Sequence, residues 1–382
     1  MLAAAVALSA ALGLPRAARG ERVVPEFQSL PGAHAKLYLD FDGDVTPFWG
    51  FYSPGTTIAY DTEGTPDAFS APEVANIQKI WSGVAEKFSP FNLNVTTVDP
   101  GNRNDYETMR IVIGGNGAWV GQFAGGIAPL DGFMTAEPNT GFVFPANLRN
   151  GTPRYVADAV AHEAAHGFGI HHQSTFNASG GKTAEYNPGD GRRGPIMGYP
   201  YFNTLSQWWN GPGSSGATQD DLQELSGSGY LQPAFGYRDD DHGSTIGAAE
   251  TLSVSSAYAI AASGIIERNG DADYFSFTTP GGNAFLSAMV NPDAPMLDLT
   301  LSLFDANGLL LASSDTDSLG EQFFTPLLEA GTYVVSVTPA GGYGSLGQYS
   351  LAGTVIPEPS AAALAAAAGG VALRRRRPRQ AC

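Results

Sequence analysis

Cysteine is almost missing from this chain: Cys382 is the single one in 382 residues, so no intrachain disulfide can form and stability must come from packed cores and bound metal. Positive charge is scarce too. Against 37 Asp and Glu stand 20 Lys and Arg, and five of these, Arg374 to Arg377 and Arg379, crowd the C-terminus; setting those five aside takes the net charge from −17 to −22. So acidic a surface repels phosphates and argues against a nucleic-acid partner. Long apolar runs are lacking as well. The stretches 2–14 and 361–373 hold thirteen residues each, which reach about 20 Å as helix against a hydrocarbon core of about 30 Å. The glycine-rich segment 115–126 does not end in Gly-Lys-Ser/Thr, so it carries no phosphate-loop signal, and no internal repeat or coiled-coil heptad is visible. What is present is 43% apolar residues, ample material for two folded domains in a chain of this length.

Both ends read as addresses rather than as fold. Residues 2–14 are nearly all Ala, Leu and Val and are followed by the small residues Ala17, Ala18 and Gly20, the pattern of a signal-peptide apolar region; a plain apolar helix is the alternative, since no positive n-region precedes the run. At the other end VIPEPS, residues 355–360, leads into the apolar stretch 361–373 and then RRRRPR. Pro-Glu-Pro, an apolar stretch and an arginine cluster resemble the bacterial PEP-CTERM sorting signal. That resemblance implies removal by a membrane-embedded exosortase, arginines held at the cytoplasmic side, transient membrane contact through the terminal segments, and loss of Cys382 in processing. A disordered Ala/Arg-rich tail is the other reading. The expected location is outside the cell or on the surface of a Gram-negative-type bacterium.

Four of the six histidines fall in the run HEAAHGFGIHH, from His162 to His172. His162 and His166 are four apart, so on a helix both imidazoles leave one face and can grip one metal ion. Glu163 lies beside the first, close enough to serve as a general base without being a ligand. Gly169 stands where the helix must stop and turn, bringing His172 back toward the same metal. Thr152 as N-cap, Pro153 at the first helical position and the apolar residues Val156, Ala159, Val160, Ala164 and Phe168 predict the helix itself. His171 competes with His172 only if the turn slips by one residue, and reads as a surface or outer residue; His34 and His242 read as solvent-exposed.

His-Glu-x-x-His-x-x-Gly-x-x-His resembles the metzincin clan of zinc metallopeptidases. The resemblance implies Zn2+ on His162, His166 and His172, Glu163 as catalytic base, and a methionine turn below the metal, which GPIMGYP supplies as Met197. Tyr199, two residues further, corresponds to a tyrosine that in the astacin and serralysin branches ligates zinc or stabilises the tetrahedral intermediate; a core residue of a tight turn is the alternative for Met197 and Tyr199. With LYLDFDG near the N-terminus, these motifs resemble secreted bacterial reprolysin-like metallopeptidases over a little more than half of the chain.

The expected fold is α+β, a metzincin-like catalytic domain with a twisted mixed sheet and an active-site helix, followed by an all-β sandwich. Strands are predicted at 36–41, 93–98 and 110–113, with a helix over 72–88 capped by Ser70 and striped by Val74, Ile77, Ile80, Trp81, Val84 and Phe88. Residues 115–126 read as a flexible connection near the cleft, Gly141 to Phe144 as a strand-like border of the substrate groove, and 173–194 as a polar loop. Thr218 is expected to open a short helix with Asp221 in capping-box position, and Trp208 and Trp209 fit core packing at least as well as a specificity pocket. A composition shift at about Tyr237 opens a second unit of short alternating runs, with a hairpin signal at Asn307-Gly308. Its motif order, from DDDHGSTIGAAE through GDADYFSF to GQYSLAG, resembles the bacterial pre-peptidase C-terminal (PPC) domain. The divisions are thus 1–20 signal peptide, 21–236 peptidase, 237–355 sandwich and 356–382 sorting tail. Asp271 and Asp273 with the acidic run 239–241 could hold Ca2+, although they lack an EF-hand pattern and solvated turn carboxylates are the more economical reading.

These residues predict a secreted zinc endopeptidase acting on protein or peptide substrates. The competing expectation is a cell-surface or matrix-binding protein whose zinc domain is structural or inactive. A zinc hydrolase of non-peptide bonds ranks behind both.

Overall fold

The computed structural model describes residues 22–64 and 68–356; the expected signal peptide 1–20 and the stretch after Ile356 expected to be a sorting tail, with Cys382, lie outside the described residues. The chain opens with β1 (Ala35–Asp40), the hairpin β2 (Asp44–Thr46) and β3 (Gly55–Thr57), α1 (Ala71–Phe88), β4 (Leu93–Thr96), β5 (Thr108–Ile113), β6 (Gly126–Ile127), β7 (Thr140–Val143) and α2 (Pro153–Gly167). Five of these strands make one sheet in the order β4-β1-β5-β7-β6. The first four run parallel and β6 is antiparallel to β7, so the sheet is mixed and its last edge is β6.

α1 starts where expected because Ser70 Oγ accepts from Glu73 N while the Glu73 carboxylate accepts from Ser70 N, a closed capping box. Its stripe Ile77, Ile80, Val84 and Phe88 is fully buried, as are Val156, Val160 and Ala164 of α2. Phe168, just past α2, meets Phe88 edge to face at 5.8 Å and locks the two helices over the sheet.

Several local expectations are corrected. Thr152 occupies the N-cap position of α2, but its hydroxyl donates to Arg149 O instead of accepting from the first turn. Gly141 to Phe144 does not border the groove: β7 is an inner strand, and β6 covers it. The run 93–98 is strand only to Thr96, and the strand at 110–113 begins at Thr108. Segment 115–126 contains a short 3-10 turn, Ala118–Val120, before it enters β6.

Past α2 come the hairpin β8 (Thr175–Phe176) and β9 (Lys182–Ala184), then β10 (Arg193–Pro195), β11 (Leu205–Gln207), β12 (Asn210–Pro212), β13 (Thr218–Asp220) and α3 (Asp221–Ser226). Thr218 therefore belongs to a strand, not a helix start. Asp220 caps α3 by accepting from Gln223 N, because pairing of β12 with β13 holds 218–220 extended. Trp208 is a core residue with no exposed surface, and its indole donates to Lys87 O at 2.8 Å.

The C-terminal part is a β-sandwich. Its strands are β14 (Glu250–Thr251), β15 (Ala259–Ile266), β16 (Asp273–Thr279), β17 (Asn283–Val290), β18 (Leu299–Asp305), β19 (Leu310–Ser314), β20 (Gly320–Phe324), β21 (Gly331–Pro339) and β22 (Gly347–Ile356). One sheet runs β14-β16-β21-β18-β19 and the other β15-β22-β17-β20. Period-two patterning explains the layers: in β22, Tyr349, Leu351 and Val355 are buried while Ser350, Ala352 and Thr354 face solvent. Asn307-Gly308 does lie in the β18–β19 hairpin, as a three-residue loop 306–308 closed by Asp305 N donating to Leu309 O.

The two parts share one continuous core, in which Val84 and Phe88 of α1 belong with Ala294, Met296 and Leu297 of the sandwich. No helix among the described residues is long and apolar enough to cross a membrane.

Candidate metal centre

α2 carries His162, Glu163 and His166 and then ends in a Schellman motif, in which Gly169 N donates to His166 O and Ile170 N to Ala165 O. Gly169 has φ +96°, a left-handed conformation that a side chain would resist, and it is this turn that carries the chain back to His172. The three imidazoles come together with ring centroids 4.8 Å apart for His162–His166, 4.8 Å for His166–His172 and 5.2 Å for His162–His172.

Each ring is anchored through Nδ1. His162 Nδ1 bonds Ile196 O at 2.8 Å, His166 Nδ1 bonds Ile170 O at 2.7 Å, and His172 Nδ1 bonds Glu185 Oε1 at 2.8 Å. With a carbonyl or carboxylate at Nδ1, that nitrogen carries the proton and Nε2 keeps its lone pair, the form a metal requires. The Nε2 atoms of His166 and His172 are 3.1 Å apart. Two tetrahedral ligands at about 2.0–2.1 Å from zinc sit about 3.3–3.4 Å from each other, so the residues present fit a zinc ion. Burial drives His162 down to about 4 and His166 well below the usual histidine range, and the neighbouring imidazoles add to both shifts. Both shifts favour the neutral form of the His162 and His166 rings.

Glu163 is 7% exposed, and burial pushes its carboxyl up to about 8. It packs on the edge strand: a Cβ at Gly126 would lie 2.6 Å from Glu163 Cγ and 2.7 Å from Oε1, so β6 can pass this close only as glycine. Glu163 and His162 open into a cleft of about 460 Å³, walled by Phe123, Leu148, Tyr155, Tyr199 and Tyr201. Tyr155 and Tyr201 stack flat at 5.0 Å and 3°, forming one side.

Met197 is fully buried in a tight turn in which Gly198 N donates to Pro195 O. Ile196 O, beside it, is the atom that anchors His162, and Met197 O accepts from Gln173 N at 2.8 Å, so this turn is strapped to the segment leaving His172. Tyr199 lines the cleft but is 42% exposed, with its ring against Tyr201 and Phe202. His171 is exposed and points its backbone N–H at Gln219, leaving His172 as the third ring of the cluster.

Two residues at this centre have no signal in the spacing, Glu185 and Tyr186. Glu185 also accepts from Lys182 Nζ at 2.6 Å, and these two hydrogen bonds, from Lys182 and His172, hold its carboxyl below the usual range. Both lie in a Gly/Asn-rich loop with no periodicity, where their side chains gain meaning only once the loop folds back. Glu185→Ala is expected to lower metal affinity about tenfold or more in competition with a chelator, because His172 loses the partner that fixes its tautomer.

A second cluster lies at the start of the sandwich. Asp240, Asp241 and Asp273 form one group of three converging carboxylates, and Asp240, Glu267 and Asp271 another. Asp273 and Glu267 are buried, and Asp273 Oδ1 and both Glu267 oxygens have no hydrogen-bond partner among the described residues, which corrects the reading of a solvated turn carboxylate at Asp273, whereas Asp239, Asp240 and Asp241 are exposed as that reading expects. His242 is not simply exposed either: Nδ1 bonds Glu250, Nε2 bonds Ser263 O, and the ring packs on Phe275 at 4.6 Å. His34 is exposed as expected.

No family model matches this sequence, and no curated protein matches it. Among solved structures, the pre-peptidase C-terminal domain of collagenase from Bacillus anthracis is similar at 16% identity, over 28% of this chain and 94% of that one, with a TM-score of 0.22. PliG of Aeromonas hydrophila, a periplasmic inhibitor of g-type lysozyme, is similar at 14% identity over 28% of this chain and 96% of its own, TM-score 0.23. The Yersinia pseudotuberculosis-derived mitogen is similar at 18% identity over 26% and 87%, TM-score 0.20. None of the three reaches the similarity at which a shared fold or activity follows.

Proposed function

We propose that this chain is an exported zinc endopeptidase of the metzincin type. The observation that carries the reading is the convergence of the His162, His166 and His172 rings, each anchored at Nδ1, with the buried Glu163 carboxyl opening into the same cleft. Zinc, when bound, would supply Lewis acidity and bring the pKa of a water toward neutrality.

The chain's own residues supply the rest. Glu163 takes the proton of the attacking water and returns it to the leaving amine, a double duty helped by burial, which makes this carboxylate more basic than a free one. β6 is paired only on its β7 side; its free edge offers backbone donors and acceptors along which an extended peptide can align. The aromatic walls at Tyr155, Tyr199 and Tyr201 suit a large apolar side chain of that peptide.

Cleavage of casein and of a mixed peptide library by the purified chain, with and without a zinc chelator, tests this. Chelator-sensitive cleavage is the expected result. No cleavage by a folded, zinc-loaded chain would sink the reading and favour a surface- or matrix-binding protein with an idle metal centre.

Calcium at the acidic cluster belongs to the same proposal, supported by the buried, unpaired oxygens of Glu267 and Asp273. Added Ca2+ is expected to raise the unfolding temperature of the wild type and to leave a Glu267→Gln/Asp273→Asn double variant unchanged. An equal response in both would remove calcium from the account. Export and removal of the C-terminal tail complete the proposal, and intact mass of the secreted protein reads both.

A further inference from the structure

Two tyrosines compete for the place beside the metal centre. Tyr199, two residues beyond Met197, turns its ring edge-on to Tyr201 at 5.0 Å and against Phe202 at 5.7 Å, and makes no ring contact with the three histidines among the described residues. Tyr186 is the one that packs on the cluster. Its ring centroid lies 4.5 Å from His172 at a tilt of 48° and 6.1 Å from His162 at 45°.

The backbone explains why the loop delivers residue 186 and not another. Asn187 N donates to Gln173 O at 2.8 Å, and Asn187 O accepts from Tyr199 N at 2.8 Å, so the strand of chain at 186–187 is clamped between the segment leaving His172 and the methionine turn. On its other side, Glu185 is bonded to His172 Nδ1 and Ser174 Oγ donates to Glu185 O. Four hydrogen bonds thus hold the residues on either side of Tyr186. Its side chain lines the same cleft as His162 and Glu163, and the residue is 44% exposed, so a molecule bound in the cleft can reach it.

We propose that Tyr186 is the phenol that donates a hydrogen bond to an anionic oxygen held at the three-histidine centre, and that Tyr199 is a wall of the side-chain pocket. This rests on the metal-centre reading and replaces Tyr199 in the role that the metzincin resemblance assigns to it. His162, Glu163 and Tyr186 line one cleft, and Tyr186 is the phenol whose ring lies against two of the three imidazoles. In the low-dielectric cleft a pre-placed O–H donor to an anionic oxygen contributes strongly because it needs no reorganisation when charge develops.

The test uses the full chain loaded with Co(II), whose visible absorption reports both metal uptake and ligand binding, titrated with acetohydroxamate as the anionic probe. Tyr186→Phe keeps the ring against His172 and removes only the hydroxyl. It is expected to weaken acetohydroxamate about tenfold or more, the loss typical of one hydrogen bond to a charged partner, while Co(II) affinity and the spectrum of the probe-free centre stay as in wild type. Tyr199→Phe is expected to bind the probe as wild type does. Unchanged affinity in Tyr186→Phe, or the loss appearing in Tyr199→Phe instead, overturns the assignment while leaving the metal centre standing. Failure of the wild-type chain to take up Co(II) overturns the metal centre and the assignment together.

Discussion

Glu163→Gln is expected to reduce peptide turnover by at least about a hundredfold and to leave zinc affinity within a few-fold of wild type. The carboxamide fills the same space between α2 and the edge strand, where Gly126 already leaves no room to spare, so the packing survives. What is lost is the ability to accept and return a proton, and general acid–base catalysis is worth roughly a hundred- to ten-thousandfold. Zinc affinity is set elsewhere, by the three Nε2 atoms and their anchors at Ile196, Ile170 and Glu185. Parallel kcat/KM measurements and a zinc titration check the two halves of this statement. Retained proteolysis in the variant would remove Glu163 from the mechanism.

The second large effect lies away from the cleft. Lys87, at the end of α1, is completely buried; its ammonium donates to Ser206 O at 3.0 Å, Ala294 O at 2.6 Å and Pro295 O at 3.3 Å, and stands 3.9 Å from Asp158 Oδ1. Asp158 is also buried, accepts from Ser206 Oγ at 2.6 Å, and sits on α2 one turn before His162. Burial drives Lys87 down from the usual lysine range, with Asp158 pulling it back up. This one side chain therefore ties three things together: α1, the histidine-bearing helix α2, and the 294–295 loop of the sandwich. Glu86 beside it accepts from Gln348 N and Nε2 at 3.1 Å each, so the sandwich is fastened at two adjacent residues.

Lys87→Met is expected to cost about 3–5 kcal/mol, because it leaves the buried Asp158 carboxylate with only the part-exposed Arg154, 3.6 Å away, as a charge partner and takes the donor from three carbonyls, and to lower the unfolding temperature by on the order of 10 °C. The Lys87→Met/Asp158→Asn pair is expected to be more stable than Lys87→Met alone, since the charge left behind is then neutralised. Urea unfolding of the single and double variants reads the coupling. Additive losses would mean that the two charges do not act as a pair. With a continuous core and these ties, the α/β part without the sandwich is expected to lose its fold, and the sandwich acts as part of the scaffold that holds α2.

Legibility in the sequence was strongest where a contact is local. HEAAHGFGIHH places its two helical histidines on one face of any α-helix, and the Schellman turn at Gly169 needs no distant partner. The same holds for the capping box at Ser70 and for the alternating runs of the sandwich, all of which became strands. It was weakest where two local signals conflicted. Thr218 looks like a helix cap, but pairing with β12 wins three residues of strand and hands the cap to Asp220. Gly141 to Phe144 has the look of an edge, but two-residue β6 lies outside it.

By itself, then, the sequence determined the histidine helix and its turn, α1 with its cap, the alternating strands of the sandwich, and the acidic, disulfide-free character of the chain, because spacing, period and turn chemistry act within a few residues. Only the tertiary structure decided that Glu185 anchors His172, that Tyr186 rather than Tyr199 packs on the rings, that both Glu267 oxygens and Asp273 Oδ1 are buried without a hydrogen-bond partner, and that Lys87 binds the sandwich to α2. Those pairings join residues from 13 to more than 200 positions apart, as in Lys87 with Ala294. No periodicity links such pairs, and burial, which gives each polar atom its cost and so its meaning, exists only once the layers have closed.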